Sequence, residues 1–305
     1  MPGSQDYAQD PRNDSVLVYL NGSLVPRDAA RVSVFDAGFA LGDGVWEGVR
    51  LQNGAFLFLR EHLGRLLAGA RTIGLSLGLD EAGLTAALCQ TARANGMRDG
   101  VHVRLMATRG PKRTVNQDPR NALGQPTIVI VAEYKSPSVL EGGLSLATSR
   151  IRCTQADMFD MRLNSHSRLN LILALQDVIA SGADEALMLD PHGFVSSCNA
   201  TNFFIVSNKR VITSSGAYCF NGITRANVLL LCARHGILAE QRDFSLEEAR
   251  GADEAFVTGT FGGITPVGRI DGVRLKAAPG PMTQHLGRLY DALKAENAAA
   301  NPHLS

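Results

Sequence analysis

Apolar and polar positions alternate on both sides of Asn21-Gly22 in VLVYLNGSLVP (residues 16–26), the pattern of a hairpin closed by a two-residue turn. The same alternation predicts short strands over Arg31 to Phe35, Val45 to Arg50 and Ala55 to Leu59, the last two around Gln52-Asn53-Gly54. The period then changes. Leu63, Leu66, Leu67 and Ala70 recur at helical spacing within Glu61 to Thr72, and Asp80 to Asn95 reads as a second amphipathic helix with Asp80 as its cap. Val101 to Thr108 returns to strand, and Arg109 to Gln125 is a basic polar loop. Thr127 to Tyr134 is a continuous apolar run that reads as a buried strand.

Lys135 to Gly143 (KSPSVLEGG) gathers proline, serine and glycine between two strands, and the domain boundary is placed there. Beyond it, Leu144 to Ile151 is a strand, and Arg168 to Ala180 carries Leu169, Ile172, Leu173, Leu175 and Ile179 at helical spacing. Glu185 to Leu189, Asn202 to Val206, Arg210 to Thr213 and Glu254 to Thr258 read as strands. Ala226 to His235, Leu246 to Ala249 and Thr283 to Glu296 read as helices, followed by an alanine-rich tail expected to fray. Strands joined mostly by hairpins, with helices in groups, fit two α+β domains better than a doubly wound sheet. The expected division is a disordered tail over 1–15, a first domain over 16–134, a linker over 135–143 and a second domain over 144–305.

Composition narrows the function classes. The 30 basic and 29 acidic residues leave a net charge of +1, which argues against a nucleic-acid or membrane-surface partner held by bulk electrostatics. No apolar run is long enough to span a bilayer, and the polar opening MPGSQDYAQDPRNDS has no secretory core. The five cysteines are scattered and lack CxxC spacing, so the expectation is reduced thiols in a cytoplasmic protein without a zinc site. Neither GxGxxG after a strand nor GxxxxGK[ST] occurs. Lysine is sparse: Lys112, Lys135, Lys209, Lys276 and Lys294 are all there are.

Three separated segments share a capacity to meet an anion. Gly42 to Arg50 ends a strand on a guanidinium. Asn221-Gly-Ile-Thr-Arg225 feeds a helix whose start presents backbone NH groups. Thr258 to Pro266 is a glycine-rich turn after a strand. Taken singly, each reads as an ordinary turn whose glycines serve backbone geometry.

Taken in order, these segments resemble the class IV aminotransferase family, fold type IV enzymes that use pyridoxal phosphate. The group includes branched-chain and D-amino acid aminotransferases and aminodeoxychorismate lyase. The resemblance runs from about Val18 to Tyr290. Its further markers are Arg60-Glu-His-Leu63, Asp184-Glu-Ala-Leu187, Gly193 with Asn202 and Phe204, and Thr265-Pro266-Val267. It implies a two-domain fold type IV aminotransferase-like architecture, a homodimer, and pyridoxal phosphate or pyridoxamine phosphate as cofactor. Arg50, Ile223, Thr224 and Thr260 would form the phosphate cup. The positions that define cofactor chemistry depart from the family's pattern. The family's catalytic lysine falls on Asn164, and no lysine lies between Lys135 and Lys209. Asparagine forms no Schiff base and shuttles no proton, so any bound cofactor would be held non-covalently. The glutamate that keeps the pyridine nitrogen protonated falls on Ser197, with Cys198 and Asn199 beside it expected to face the ring.

Asn164-Ser-His-Ser-Arg168 supplies other polar groups. His166 is a candidate general base or, alternatively, a residue that caps or packs beside the following helix. Arg168 is expected to bind a loop carboxylate, Asp157 or Asp160, rather than substrate. In the basic loop, Arg109 is the candidate for a carboxylate-bearing small-molecule substrate, whereas Lys112 and Arg113 read as solvated. Phe39 and Trp46 read as core, with Phe39 the alternative wall of a pocket; Phe261 joins Phe39 and Arg109 among the candidate substrate contacts. Two classes of function remain open. One is an aminotransferase-family enzyme with non-standard chemistry, acting on an amino acid, keto acid or amine. The other is a non-catalytic homologue that binds a phosphorylated ligand; a lyase or isomerase without a Schiff-base lysine is a third reading.

Overall fold

The two halves of the hydrophobic pattern become two sheets. A computed structural model describes residues 5–138 and 142–304, so 139–141 of the expected linker lie outside the described residues. Contacts divide the chain into two compact units. The N-terminal unit comprises Ala8–Ser136 and takes back Leu163–Arg168 and Ala295–Ser305; the C-terminal unit comprises Met1–Tyr7, Pro137–Arg162 and Leu169–Lys294.

The N-terminal unit is built on a six-stranded antiparallel sheet in the order Ser23–Pro26, Leu17–Leu20, Thr127–Tyr134, Val101–Thr108, Gly44–Gln52, Ala55–Phe56. The alternation read in Val101–Thr108 sorts its side chains by face. Val101, Val103 and Leu105 are buried with Val45, Val49 and Leu51 against Leu63, Leu66, Leu84 and Leu88 of the helices Leu59–Thr72 and Glu81–Ala94. The opposite face carries Trp46, Arg50, His102, Arg104 and Met106 at half-buried positions. Asp80 caps the second helix as expected, accepting from Gly83 N at 2.8 Å.

In the C-terminal unit a nine-stranded mixed sheet runs in the order Ala239–Gln241, Arg210–Thr213, Asn202–Ser207, Glu254–Gly259, Gly263–Ile270, Leu144–Thr148, Glu185–Leu189, Val195–Cys198, with Val273–Arg274 paired to Gly263–Ile270. Phe204 and Phe256 stack at 4.9 Å on one face, beneath Val228 and Cys232 of the helix Ile223–Arg234. Phe203, Ile205, Val257 and Phe244 fill the other face. Among the described residues no helix is long and apolar enough to cross a membrane.

Several expected elements change. Arg31 to Phe35 is not a strand, because no strand pairs with it; Ser33 turns the chain there and Val34 and Phe35 are exposed. The strand expected over Ala55 to Leu59 stops at Phe56, since Phe58 adopts a left-handed conformation and Leu59 begins the helix. Leu144 to Ile151 ends at Thr148, where the Thr148 NH turns to the Asp271 carboxylate at 2.6 Å. Within the tail expected over 1–15, Pro11–Ser15 forms a 3-10 helix, and Asn13 exchanges two hydrogen bonds with Tyr134 backbone. The closing helix spans Pro281–Ala300, and His303 and Leu304 after it are held in place rather than frayed. His303 and Leu304 donate backbone hydrogen bonds to Gly54 O at 3.1 and 2.9 Å, and Leu304 is buried in the N-terminal core.

Removing residues 301–305 therefore uncovers an apolar socket as well as the Gly54 carbonyl. The expected loss is about 2 kcal/mol, the contribution of one fully buried leucine, read as a lower urea midpoint; an unchanged midpoint would show that the tail contributes nothing.

The C-terminal core also encloses a carboxyl. Glu185 accepts the Thr201 hydroxyl at 2.6 Å, and its other oxygen has no partner. Burial pushes its pKa up to about 7 against the opposing bonds from Thr201 and Cys198. An acid with a raised folded pKa holds its proton more tightly when folded. Its contribution is complete at low pH and is lost as pH rises to about 7. Glu185→Gln cannot ionise, so its stability advantage over the native chain should grow from about pH 4.5 to about 7 and then level off. Melting curves across pH test this; a constant difference would mean that folding does not shift the Glu185 pKa.

Candidate cofactor and substrate site

In the N-terminal unit, one short segment delivers the central residues. Residues 164–166 pair antiparallel with the free edge of Gly44–Gln52. Trp46 N donates to Asn164 O at 3.0 Å, His166 N donates to Gly44 O at 2.9 Å, and Val45 bridges Ser165. This register puts Asn164 and His166 on the sheet face that carries Trp46 and Arg104. Gly44 is required by closeness: a Cβ there would lie 2.5 Å from Ala107 O and 2.8 Å from the His166 ring.

Asn164 is buried and held at both ends of its amide. Its nitrogen donates to Trp46 O at 2.5 Å, and its oxygen accepts from the Arg168 guanidinium. Arg168 thus turns to Asn164 and the Trp46 ring rather than to a loop carboxylate, and Asp160 pairs with Arg162 instead. Arg104 lies over the same indole, 3.7 Å from its centroid, and Trp46 Nε1 donates to Ser165 O. Burial, with Arg104 adding, pulls the Arg168 pKa down to about 10, so it stays charged at neutral pH.

Arg50 donates to Lys135 O at 2.7 Å and stands opposite His102 on the neighbouring strand. Burial first, and then the charges of Arg50, Arg104 and Lys135, push His102 down to about 3, so it is neutral. Behind the sheet, Glu47 has no exposure. It accepts from Arg65 Nε at 2.7 Å and pairs with His62 Nδ1 at 2.7 Å. Burial alone would raise its pKa; the bonds from Arg65 and His62 outweigh that and hold it low. Sequence reasoning passed over His102 and Arg104. The signal was present, because a strand that alternates apolar residues with histidine and arginine must present both polar groups on one face.

His166 is half-buried, and its Nε2 is enclosed without a partner. Burial lowers its pKa, Arg104 and Arg168 add to this, and a backbone bond with Val45 and the charge of Asp36 oppose it. Arg109 donates to Asp43 at 2.6 and 3.0 Å and to the carbonyls of Ile73 and Gly74, so an incoming carboxylate would have to compete with those contacts. Phe39 is 70% exposed on the short helix Ala37–Leu41, which overturns its reading as core. Lys112 is buried, not solvated, and donates to Asp118 O at 2.8 Å.

In the C-terminal unit, Ser197 lies on a strand that sequence reasoning missed. VSSC has no apolar period because the strand is bulged: Leu189 pairs with Val195, Met188 pairs with Ser197, and Ser196 is the extra residue. The bulge turns Ser197 to the Met188 face, so Cys198 points to the opposite one. The expectation that the Cys198 side chain faces a cofactor ring beside Ser197 is thus corrected: it is buried among Leu144, Leu187 and Phe203. Asn199 closes the strand, its side chain accepting from Ala186 N at 2.8 Å and its own NH donating to Ala186 O at 3.0 Å.

The helix Ile223–Arg234 begins three residues earlier than expected, at Ile223, with Gly222 as N-cap and no side-chain cap. Its first-turn NH groups, among them those of Ile223 and Thr224, are the donors an anion takes at such a terminus. Asn202 fixes the entry, accepting from Gly222 N at 3.1 Å and donating to Phe220 O at 2.6 Å; a Cβ on Gly222 would strike its oxygen. The Thr224 hydroxyl lies 3.3 Å from that of Tyr290, whose pKa burial pushes up to about 12. Thr258 stands opposite Asn202 on the adjoining strand, with a buried and unpartnered hydroxyl, and Thr260 follows two residues on. Phe261 is buried. An uncapped helix start beside an orphaned hydroxyl is a donor set that suits a phosphate.

Comparison with known proteins gives the family. The family model for amino-transferase class IV matches residues 44–270. The chain is 38% identical over 285 residues to the branched-chain-amino-acid aminotransferase-like protein 2 of Arabidopsis thaliana, covering 93% of this chain and 51% of that protein. It thus spans about half the length of that relative. Among solved structures, a branched-chain aminotransferase from Thermoproteus uzoniensis with norvaline superposes with a TM-score of 0.85 at 32% identity, covering 93% of this chain and 96% of that one. A T.th. branched-chain amino acid aminotransferase with pyridoxamine 5'-phosphate superposes with a TM-score of 0.87 at 26% identity, over 93% and 97% of the two chains. The chain, with its mixed helix-and-sheet fold, belongs to the class IV aminotransferase family.

Proposed function

We propose that this chain is a class IV aminotransferase-family enzyme that binds pyridoxal phosphate or pyridoxamine phosphate non-covalently. It acts on an amino acid, keto acid or amine by a route that does not use a lysine at position 164. What supports this reading is the uncapped helix start beside the unpartnered Thr258 hydroxyl, together with Asn164 at the position where the resemblance puts a lysine. In the C-terminal unit, Ile223, Thr224 and Thr260 would hold the phosphate; in the N-terminal unit, Arg50 is by itself a candidate guanidinium for an anion. Ser197 would meet the pyridine nitrogen with a hydroxyl, a weaker partner for its protonated form than a carboxylate. The group, when bound, supplies an electron sink for a carbon next to nitrogen. The protein's share is to hold that group, orient the substrate and move protons.

Within residues 164–168, His166 is the side chain suited to the last task. Its lowered pKa leaves it neutral at pH 7, and Nε2 is enclosed without a partner. The cations Arg104 and Arg168 favour a substrate that carries a carboxylate. A non-catalytic, phosphate-binding homologue is the second reading. The observation that favours it is Asn164 itself, whose amide is engaged at both ends. We also infer a homodimer in the cytoplasm. Large apolar side chains stand exposed on both units, among them Phe39 at 70% and Leu169 at 66%, and they suit burial against a second copy. The five cysteines are free and buried, as suits a reducing compartment.

Absorbance titration of the purified protein with pyridoxal phosphate, followed by borohydride and intact mass, tests the first claim. The expected result is saturable binding with no stoichiometric reduced adduct. A stable adduct on one lysine would overturn the assignment of Asn164, and absence of binding would overturn the cofactor. Asn164→Lys with Ser197→Glu should restore an adduct. For His166, the base works when neutral, so turnover should be full above its pKa and fall away below it, with that limb below pH 6.5. His166→Ala should lower turnover by about 10²- to 10⁴-fold and remove the limb. A profile unchanged by the substitution would exclude His166 from proton transfer.

A further inference from the structure

We propose that Arg168 is the positioning residue of the Asn164 site: it supplies a permanent positive charge at the place of the missing lysine and holds Asn164 in one orientation. The inference rests on Asn164 standing at the lysine position, not on the cofactor being bound.

The geometry is local to one unit. The Asn164 amide has one nitrogen bond, to Trp46 O, and its oxygen meets the Arg168 guanidinium. That pair of contacts excludes the flipped amide, since Trp46 O cannot donate and the guanidinium cannot accept. Arg168 is in turn placed by the Trp46 ring, which Arg104 covers at 3.7 Å. The charged groups around the pair come from every packed element. Arg104 lies on the strand Val101–Thr108. Glu47 lies on Gly44–Gln52, already shared by His62 and Arg65 of the helix Leu59–Thr72. His166 and Asp36 face the same segment, and His166 is neutral at pH 7. Glu47 is thus the carboxylate that Arg104, Arg168 and Arg65 have in common.

Two consequences follow. An amine at position 164 would sit in a cationic field and lose its proton far more readily than a surface lysine. A ligand brought to Asn164 would meet fixed hydrogen-bond donors and positive charge, which suit a carbonyl or anionic oxygen and oppose an ammonium. A guanidinium gives up no proton near neutral pH. Arg168 therefore replaces the charge of a lysine but not its chemistry, and the aldehyde form of the cofactor is favoured over the amine form.

The field is read without any cofactor. In Asn164→Lys, reductive methylation with formaldehyde and cyanoborohydride over a range of pH, followed by peptide mass, gives a midpoint for the introduced amine. The five native lysines serve as internal references. The midpoint of the introduced amine should lie at least about two units below theirs. It should rise by at least about one unit, a tenfold change, when Arg168→Met is added, and stay low with Arg168→Lys. If the lysine variant does not fold, Asn164→His reads the same field: its ring pKa by NMR should lie below 6.5 and rise with Arg168→Met. A residue 164 that titrates alike with Arg168 and with methionine overturns the proposal. In the native background, pyridoxal phosphate should bind about tenfold tighter than pyridoxamine phosphate, and Arg168→Met should erase the preference. If neither binds, the cofactor reading fails while the field measurement still decides the role of Arg168. If both bind alike, the inferred ligand preference is overturned.

Discussion

The backbone ladder between residues 164–166 and the edge of Gly44–Gln52 is the constraint on which the polar face of the N-terminal unit depends. Two hydrogen bonds, at 3.0 and 2.9 Å, set the register. Because side chains alternate along a strand, that register alone decides that Asn164 and His166 share a face with Trp46 and that Ser165 does not. Closeness is part of the same constraint. The approach is possible only because Gly44 has no side chain, with Ala107 O and the His166 ring occupying the space a methyl group would need. A shift of one residue would carry Asn164 to the apolar face that Val45 occupies. There its amide would have no partner and would cost on the order of 1–3 kcal/mol.

Charge on that face is managed from both sides of the sheet. Arg50, Arg104 and Lys135 surround His102, and the burial they share keeps the imidazole neutral. A protonated His102 would add a fourth cation to a face where Glu133, opposite it, is already paired with Lys135 and Arg27. Further compensation lies behind the strand: Glu47 is fully buried, and Arg65 and His62 saturate its oxygens. Burying a carboxylate is tolerable only with such bonds. Its field extends through the sheet to Arg104 and Arg168, where it favours their charged forms. Trp46 completes the arrangement, since an indole flanked by two guanidinium groups is stabilised by both without neutralising either.

How much of this was legible in the sequence varied with the physical signal. Val101–Thr108, Thr127–Tyr134, Glu185–Leu189 and Arg210–Thr213 were readable to the residue, because strict alternation or an unbroken apolar run was bounded by turn residues. Val195–Cys198 was not, since a bulged strand with two serines has neither pattern. Arg31 to Phe35 had the alternation without a partner strand, and pairing cannot be seen locally. The tail misled for the converse reason: His303 and Leu304 are ordered by Gly54, some 250 residues away in sequence, which composition does not encode. The family and the helix-start donor set were readable because they depend on short contiguous segments. The partners of Arg168, Arg109 and Cys198 were not, because each depends on which groups the fold places beside it.

Anion binding at a helix start and proton transfer depend on different kinds of structure, so a substitution can alter one without the other. The helix start at Ile223 is a matter of backbone: Gly222, the Asn202 bridge and the uncapped NH groups hold whatever the neighbouring side chains do. Such donors do not titrate, so an anion bound there is held over the whole physiological pH range. Proton transfer needs a side chain that changes charge near neutral pH, and a single substitution removes it. Within residues 164–168 the amide of Asn164 and the guanidinium of Arg168 do not change charge there, and the ionisable group is the His166 imidazole, its pKa lowered first by burial. His166 is thus the candidate of this segment for proton transfer. If His166 is silent, the same segment has become a recognition surface made of a fixed amide and a fixed charge.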